Sequence, residues 1–290
     1  MGIDVFFTEC PRDALQGLKS FVPTELKVKY IKSLLSCGFQ AIDFCSFVSP
    51  KSIPQFSDAE ILCNTIEKDL PAQFPQCIAI VGNKQGAERT GPYFWISHLG
   101  YPHSTSPTFL QRNINASYDE SLKRLDEIRN IGQKYQKKII VYLSMAFGNP
   151  YNDPWNYDLV FREVEQLVRH GFSIIMLSDT IGCGTPEITS FLFSNVYNLF
   201  PNEIIGAHFH VTPRNMAHIV EAAWEAGCRR FDGVLKGYGG CPMAADKLTG
   251  NLPTEFFIDF LERKNKKLSI NYQALREAQR IADEIFAQYS

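Results

Sequence analysis

Two histidines close the run IIGAHFH at residues 204–210, in a chain that holds only six. Successive side chains of a β-strand point to opposite faces, so His208 and His210, spaced i and i+2, project the same way at the strand's carboxyl end. A hydrogen-bonded pair of ordinary histidines is one reading of that spacing. The other is a pair of imidazole ligands for one metal ion, which needs further ligands from elsewhere in the chain. Asp13 and Asn251 can complete such a set, giving two nitrogens and two oxygens with positions left for water or substrate. Hard oxygen donors mixed with imidazole suit Mg2+ or Mn2+ and also admit Co2+ or Zn2+. A structural zinc site more often recruits cysteines, and no cysteine pair stands near these positions.

Cys241 lies in GYGGCPMA. A free cysteine is usually a small buried hydrophobe, and that reading fits a tight turn. The preceding glycines and Pro242 fit instead a loop over a site, where a thiol near a metal and Arg12 would have a depressed pKa and could exchange a proton with substrate.

These residues need a frame. Eight short apolar runs rich in β-formers, at 3–8, 41–47, 76–81, 93–99, 138–143, 173–177, 203–209 and 230–234, alternate with stretches of helical period. Most are continuously apolar, as strands of a parallel sheet buried on both faces are. Helices are expected over 22–38, 115–136, 155–171, 185–201 and 212–227, with a weaker one over 82–90 and a final amphipathic one from residue 271. The alternation, unbroken by any Pro/Gly/Ser linker, predicts a (β/α)8 TIM barrel spanning 1–290 as a single domain, with 255–290 as terminal helices packed on it. A doubly wound sheet would more naturally carry a glycine-rich phosphate turn after its first strand, where this chain reads ECPRDALQG.

In such a barrel, chemistry belongs at the carboxyl ends of the strands. The residues expected there are Arg12, Asp13 and Gln16 after the first strand, Asp43 and Ser46 at the second, and Asn83 after the third. Ser97 and His98 follow from the fourth, Tyr142 and Ser144 from the fifth, Asp179 and Thr180 from the sixth. The seventh gives the two histidines, and the eighth leads to Cys241 and Asn251.

Composition excludes several classes. Hydrophobic residues make up 45% and charged residues 21%, the balance of a globular chain with ample core. The net charge is −2 and no long run of like charges occurs, which argues against a nucleic-acid or anionic-membrane surface. No apolar run is long enough to span a bilayer. The eight cysteines are scattered without a CxxC pair, so reduced thiols are expected. The first apolar run starts at residue 3, leaving no room for a signal or transit peptide, and the cytoplasm is the expected location.

The segments ECPRDALQG (9–17), SFVSPKSIPQ (46–55), LSDTIGCGTP (177–186), AHFH (207–210) and GYGGCPMA…TGNLPTE (237–255) together resemble the 3-hydroxy-3-methylglutaryl-CoA lyase family. That family belongs to a superfamily of metal-dependent TIM-barrel lyases and acyl-CoA synthases. The match runs in order along nearly the whole barrel. The RD turn and the HxH pair are shared with the synthases, whereas GGCP and SFVSPK are more specific to the lyases. The resemblance implies retro-Claisen cleavage of an acyl-CoA substrate into acetyl-CoA and a keto acid such as acetoacetate, with leucine breakdown as the usual setting and a homodimer as the usual assembly. It implies a divalent metal, Mg2+ or Mn2+, held by Asp13, His208, His210 and Asn251 and chelating substrate oxygens, so that the tertiary alcohol ionises more easily. Arg12 would neutralise the enolate oxygen, and Cys241 would be the acid/base, so that Cys241, Arg12, Asp13 and His208 form the catalytic group. Arg12, Gln16, Asp43, Tyr142, Asp179 and Thr180 match substrate-pocket positions.

The chain departs from the family in places. Asp43 replaces a usual Glu, HFHV carries Val211 where the family has Asp, TPRNMAH replaces a glycine-rich segment, and one extra residue separates Cys241 from Asn251. These departures point to a divergent lyase, with a different 3-hydroxyacyl group as one expectation. A condensing enzyme that joins acetyl-CoA to a 2-keto acid is the alternative within the superfamily. A non-catalytic barrel ranks last, since all four ligand positions are filled.

Overall fold

A computed structural model describes residues 5–240 and 249–290. In chain order the elements are β1 (Phe6–Glu9), α1 (Pro11–Gln16), α2 (Thr24–Leu35), β2 (Ala41–Ser46), α3 (Ala59–Glu67), β3 (Gln76–Ile80), α4 (Lys84–Arg89), β4 (Ile96–Ser104), α5 (Pro107–Ile114) and α6 (Tyr118–Lys134). There follow β5 (Lys138–Ser144), α7 (Tyr157–Arg169), β6 (Ile174–Asp179), α8 (Pro186–Leu199), β7 (Ile204–Val211), α9 (Met216–Glu225), β8 (Arg230–Gly233), β9 (Gly250–Asn251), α10 (Thr254–Arg263) and α11 (Tyr272–Tyr289). Strands β1 to β8 pair in parallel with their sequence neighbours, and β8 returns to β1 with Phe6 opposite Arg230, which closes a (β/α)8 TIM barrel.

The apolar residues divide in two. Phe7, Phe44, Leu99, Leu177, Phe209 and Phe231 face outward and pack under the helices in one continuous core. Ala41, Ile78, Ile140, Ile174 and Met176 point inward and form a smaller apolar stack inside the barrel. This is the alternation a closed sheet requires, and it makes the barrel a filled solid rather than a pore. The stack separates the upper mouth from the lower one.

Helix ends follow local chemistry. Ser117 and Glu120 form a reciprocal capping box at the start of α6, and Asn156, Thr185 and Asn271 cap α7, α8 and α11. Helix α11 packs against α2 and ends the chain on the barrel's outer layer. No helix among the described residues is long and apolar enough to cross a membrane.

The fourth strand corrects an expectation. It runs from Ile96 to Ser104 rather than over 93–99, because Gly100 and Pro102 do not break it. A Cβ at Gly100 would stand 2.4 Å from Ile80 Cδ1 and 2.9 Å from Tyr142 Cε2, so this glycine is required by close packing inside the sheet. Ser97 and His98 therefore sit at the amino end of β4, bonded to each other at 2.8 Å, and not at the upper mouth. Helices α3, α5 and α10 and the short strand β9 complete the frame.

Candidate active site

Strand β1 delivers the chain to the upper mouth, where Pro11 starts α1 without needing an N–H partner. Six residues of helix then place Arg12, Asp13 and Gln16 around one point. The Arg12 guanidinium donates from Nε to Asp43 Oδ2 at 3.0 Å, from a terminal nitrogen to the same carboxylate, from Nη1 to Asp13 Oδ1 at 3.0 Å and to Gln16 Oε1 at 2.9 Å. Burial opposes its charge, but Asp43 and Asp13 more than restore it, and its pKa is raised. Asp43 is completely buried and grips Arg12 from behind. Burial raises its pKa to about 6 against the pull of Arg12. The structure places Asp43 behind Arg12 as its support and outside the cavity lining.

Asp13 faces the two histidines. Its Oδ2 lies 3.9 Å from His208 Nε2, and ligand atoms of Asp13, His208 and His210 all fall within 4.8 Å of one another. Burial acts against the Asp13 charge, yet Arg12 and the two histidines bring its pKa down to about 2. Asp13 Oδ2 and His210 Nδ1 are both buried and have no hydrogen-bond partner. Burial, the dominant influence, lowers the His210 pKa to about 4 and keeps a lone pair on its ring. A carboxylate oxygen and an imidazole nitrogen left open side by side, at a cost no folded chain meets without return, fit a divalent cation with nitrogen and oxygen donors.

Asn251 reaches this point through β9, which pairs antiparallel with β7 and sets Asn251 directly opposite His210. Its amide donates to Tyr238 O at 3.0 Å and its side chain also hydrogen-bonds Asp13. Gly239 makes the approach feasible: its φ is +81°, and a Cβ there would stand 2.8 Å from Ala14 Cα. Cys241 lies outside the described residues.

The four remaining substrate-pocket positions divide. Gln16, Tyr142 and Thr180 join Arg12, Asp13 and both histidines in lining a cavity of about 450 Å³. The Tyr142 ring meets His208 edge-on at 5.6 Å. Asp179 does not line it. Its carboxylate accepts the backbone N–H groups of Cys183 at 3.0 Å and Gly184 at 2.8 Å, which shapes the loop after β6. Val211 points away from the cavity, because β7 alternates, and is buried in the outer apolar core.

Two residues escaped the sequence reading. Asp232 on β8 accepts a hydrogen bond from His208 Nδ1 at 3.1 Å. An acid two residues after Arg230 in a strand of inward-facing period was the available signal. Glu9 is fully buried at the end of β1, accepts Leu235 N at 2.8 Å and the Thr254 hydroxyl, and so ties Leu235 and Thr254 to the end of that strand. Cys10, His208 and Asp232 form a second close group. Burial pushes the Cys10 thiol well up and its Sγ donates to Thr8 O, whereas Asp13 Oδ2 and His210 Nδ1 stand open, so the Asp13 set is the better metal candidate.

The HMGL-like family model matches residues 5–282. The hydroxymethylglutaryl-CoA lyase of Bacillus subtilis is 32% identical over 274 residues, covering 94% of this chain and 90% of that one. The mitochondrial hydroxymethylglutaryl-CoA lyase of Bos taurus is also 32% identical, over 92% of this chain and 81% of its own length. Among solved structures, an HMG-CoA lyase from Acinetobacter baumannii in complex with coenzyme A and 3-methylmalate superposes with a TM-score of 0.89 at 29% identity, over 99% of this chain and 93% of that one.

Proposed function

This chain belongs to the HMGL-like family and is a lyase of it, and from that premise we propose a divalent-metal-dependent 3-hydroxyacyl-CoA lyase that splits 3-hydroxy-3-methylglutaryl-CoA, or a close analogue, into acetyl-CoA and a keto acid such as acetoacetate. The observation that carries the proposal is the open pair Asp13 Oδ2 and His210 Nδ1 beside His208, at the floor of a cavity that Arg12 enters.

Asp13, His208, His210 and Asn251 would hold Mg2+ or Mn2+. Such an ion, when bound, supplies Lewis-acid charge that makes the substrate alcohol easier to deprotonate. The chain's own residues do the rest. Arg12, fixed by Asp43, Asp13 and Gln16, presents a permanent positive charge where the enolate oxygen develops, so no reorganisation is needed as charge builds. Asp232 holds His208 with Nε2 toward Asp13. Tyr142 and Thr180 wall the cavity against water. The family resemblance assigns the proton transfers to Cys241. Coenzyme A bound to the Acinetobacter relative supports an acyl-CoA substrate. The seven described cysteines are free, which supports a reducing setting, and the proposal places the chain in the cytoplasm. The proposal includes a homodimer and a single domain over 1–290, with leucine breakdown as its pathway.

The test is incubation of purified protein with 3-hydroxy-3-methylglutaryl-CoA and Mg2+ or Mn2+. Release of acetyl-CoA and acetoacetate, stopped by a chelator and restored by metal, is the expected outcome. No turnover with either ion, alongside consumption of acetyl-CoA with a 2-keto acid, would move the chain to the condensing branch.

A further inference from the structure

The lower mouth of the barrel holds a second cavity, of about 340 Å³, on the far side of the apolar stack from the active site. It is ringed by the first residues of the strands, among them Phe6, His98, Lys138, Ile204 and Arg230, with Arg229 and Glu203 beside them. Arg230 is the unusual member. Its side chain faces inward and the residue is only 7% exposed, yet Nε has no hydrogen-bond partner and no carboxylate among the described residues lies within ion-pair distance of its guanidinium. The guanidinium instead lies over the Phe6 ring, with its carbon 4.1 Å from the ring centre. A Cβ at Gly206 would stand 2.6 Å from Met176 Sδ and 3.0 Å from Arg230 Cγ, so the glycine of IIGAHFH leaves room for both side chains.

An unpaired guanidinium in a low-dielectric cavity carries a desolvation penalty that a well-packed apolar side chain would avoid. The surroundings do not neutralise it. Asp232 acts on Arg230 through space but is already bonded to His208. Glu203 is the one acid in the lining, and its Oε2 is itself buried and unpartnered. Arg229 is taken up by Trp224 O and Cys228 O. Lys138 is exposed on the rim and has no ion-pair partner among the described residues. Burial, with Arg230 and Lys138 nearby, lowers the His98 pKa to about 4, so the imidazole is neutral and can donate or accept.

We propose that this lower mouth is a small-oxyanion site, taking a phosphate or a short dicarboxylate, with Arg230 as the buried anchor, Lys138 as the rim cation and His98 as a neutral hydrogen-bonding wall. A planar fork with free N–H groups matches an oxyanion in two parallel bonds, which a lysine ammonium does not. The site is separate from the lyase centre and needs neither its metal nor its substrate.

The experiment is calorimetric titration of the whole protein with inorganic phosphate and, separately, with malonate, at constant ionic strength in chloride. One saturable anion per chain is expected, with the tighter probe identifying the oxyanion class. Lys138→Gln, on an exposed residue, is expected to weaken binding several-fold, and Arg230→Met by at least ~10-fold. Arg12→Met, at the opposite mouth, should leave this binding in place. Should Arg230→Met fail to fold, the imidazole proton resonances of His98 replace it as the readout: they shift on titration while those of His170 and His218 do not. The inference is overturned if neither probe saturates, or if Arg12→Met removes the binding while Lys138→Gln and His98 are unaffected.

Discussion

Asp232 accepts the Nδ1 proton of His208 at 3.1 Å, and that bond decides which nitrogen of His208 faces Asp13. A carboxylate only accepts, so Nδ1 carries the proton; against burial, Asp232 and Asp13 raise the His208 pKa, and Nε2 offers its lone pair once the ring is neutral. Asp232→Ala removes this constraint without touching any expected ligand. Outer partners of ligand histidines are typically worth ~10- to 100-fold in metal affinity. Mn2+ titration of the variant is expected to show a loss in that range. An affinity within twofold of the parent would remove Asp232 from the site.

Asp43 and Arg12 form a buried ion pair in which Asp43 has Arg12 as its partner, whereas Arg12 also reaches Asp13 at 3.0 Å. Removing one partner of such a pair costs roughly 3–5 kcal/mol, because the other charge stays buried and uncompensated. Asp43→Ala should lose less than that in urea denaturation, because Asp13 still pairs with Arg12. The double variant Arg12→Met/Asp43→Ala should lose less than the sum of the two single variants, since neither partner of the pair is then left behind. Additive losses would mean that the pair is not coupled.

Cys241 carries the proton transfers in the proposed reaction, whereas Asp13, His208, His210 and Asn251 carry the metal. The two roles separate in one variant. Cys241→Ala is expected to keep Mn2+ affinity within about threefold while kcat falls by ~10²- to 10⁴-fold, the usual worth of a positioned acid/base. A variant with unchanged kcat would take the thiol out of the mechanism.

The barrel was legible because its strands are continuously apolar and its helices amphipathic, signals that survive without knowledge of tertiary contacts. The end of β4 was not, since Gly100 reads as a breaker until Ile80 and Tyr142 are seen closing on it. His208, His210 and Asp13 announced themselves by residue type at strand ends, and the structure brings all three together. Asp43 and Asp179 looked the same in the sequence but spend their carboxylates on Arg12 and on the backbone of the β6 loop. Position after a strand does not say whether a side chain turns toward the axis or behind it. Val211 illustrates the limit differently: the family comparison made it conspicuous, and strand alternation puts it in the outer core.

Glu9 gives the chain a pH dependence of known sign. Burial raises its pKa from 4.5 to about 8, against the hydrogen bonds from Thr254 and Leu235. In the folded state it holds its proton to higher pH than in the unfolded state. Below pH 4.5 both states are protonated and Glu9 imposes no penalty. Between about 4.5 and 8 the unfolded state releases the proton first, so stability falls as pH rises, and above about 8 the loss is constant. A shift of this size corresponds to a loss on the order of 3 to 5 kcal/mol. Glu9→Gln keeps the shape and an acceptor for Leu235 N but cannot ionise. Urea denaturation at pH 5, 6.5 and 8 should therefore show the variant gaining on the parent as pH rises, with the largest advantage at pH 8. A difference that stays constant across that range would mean that Glu9 is ionised in the folded barrel and finds its compensation elsewhere.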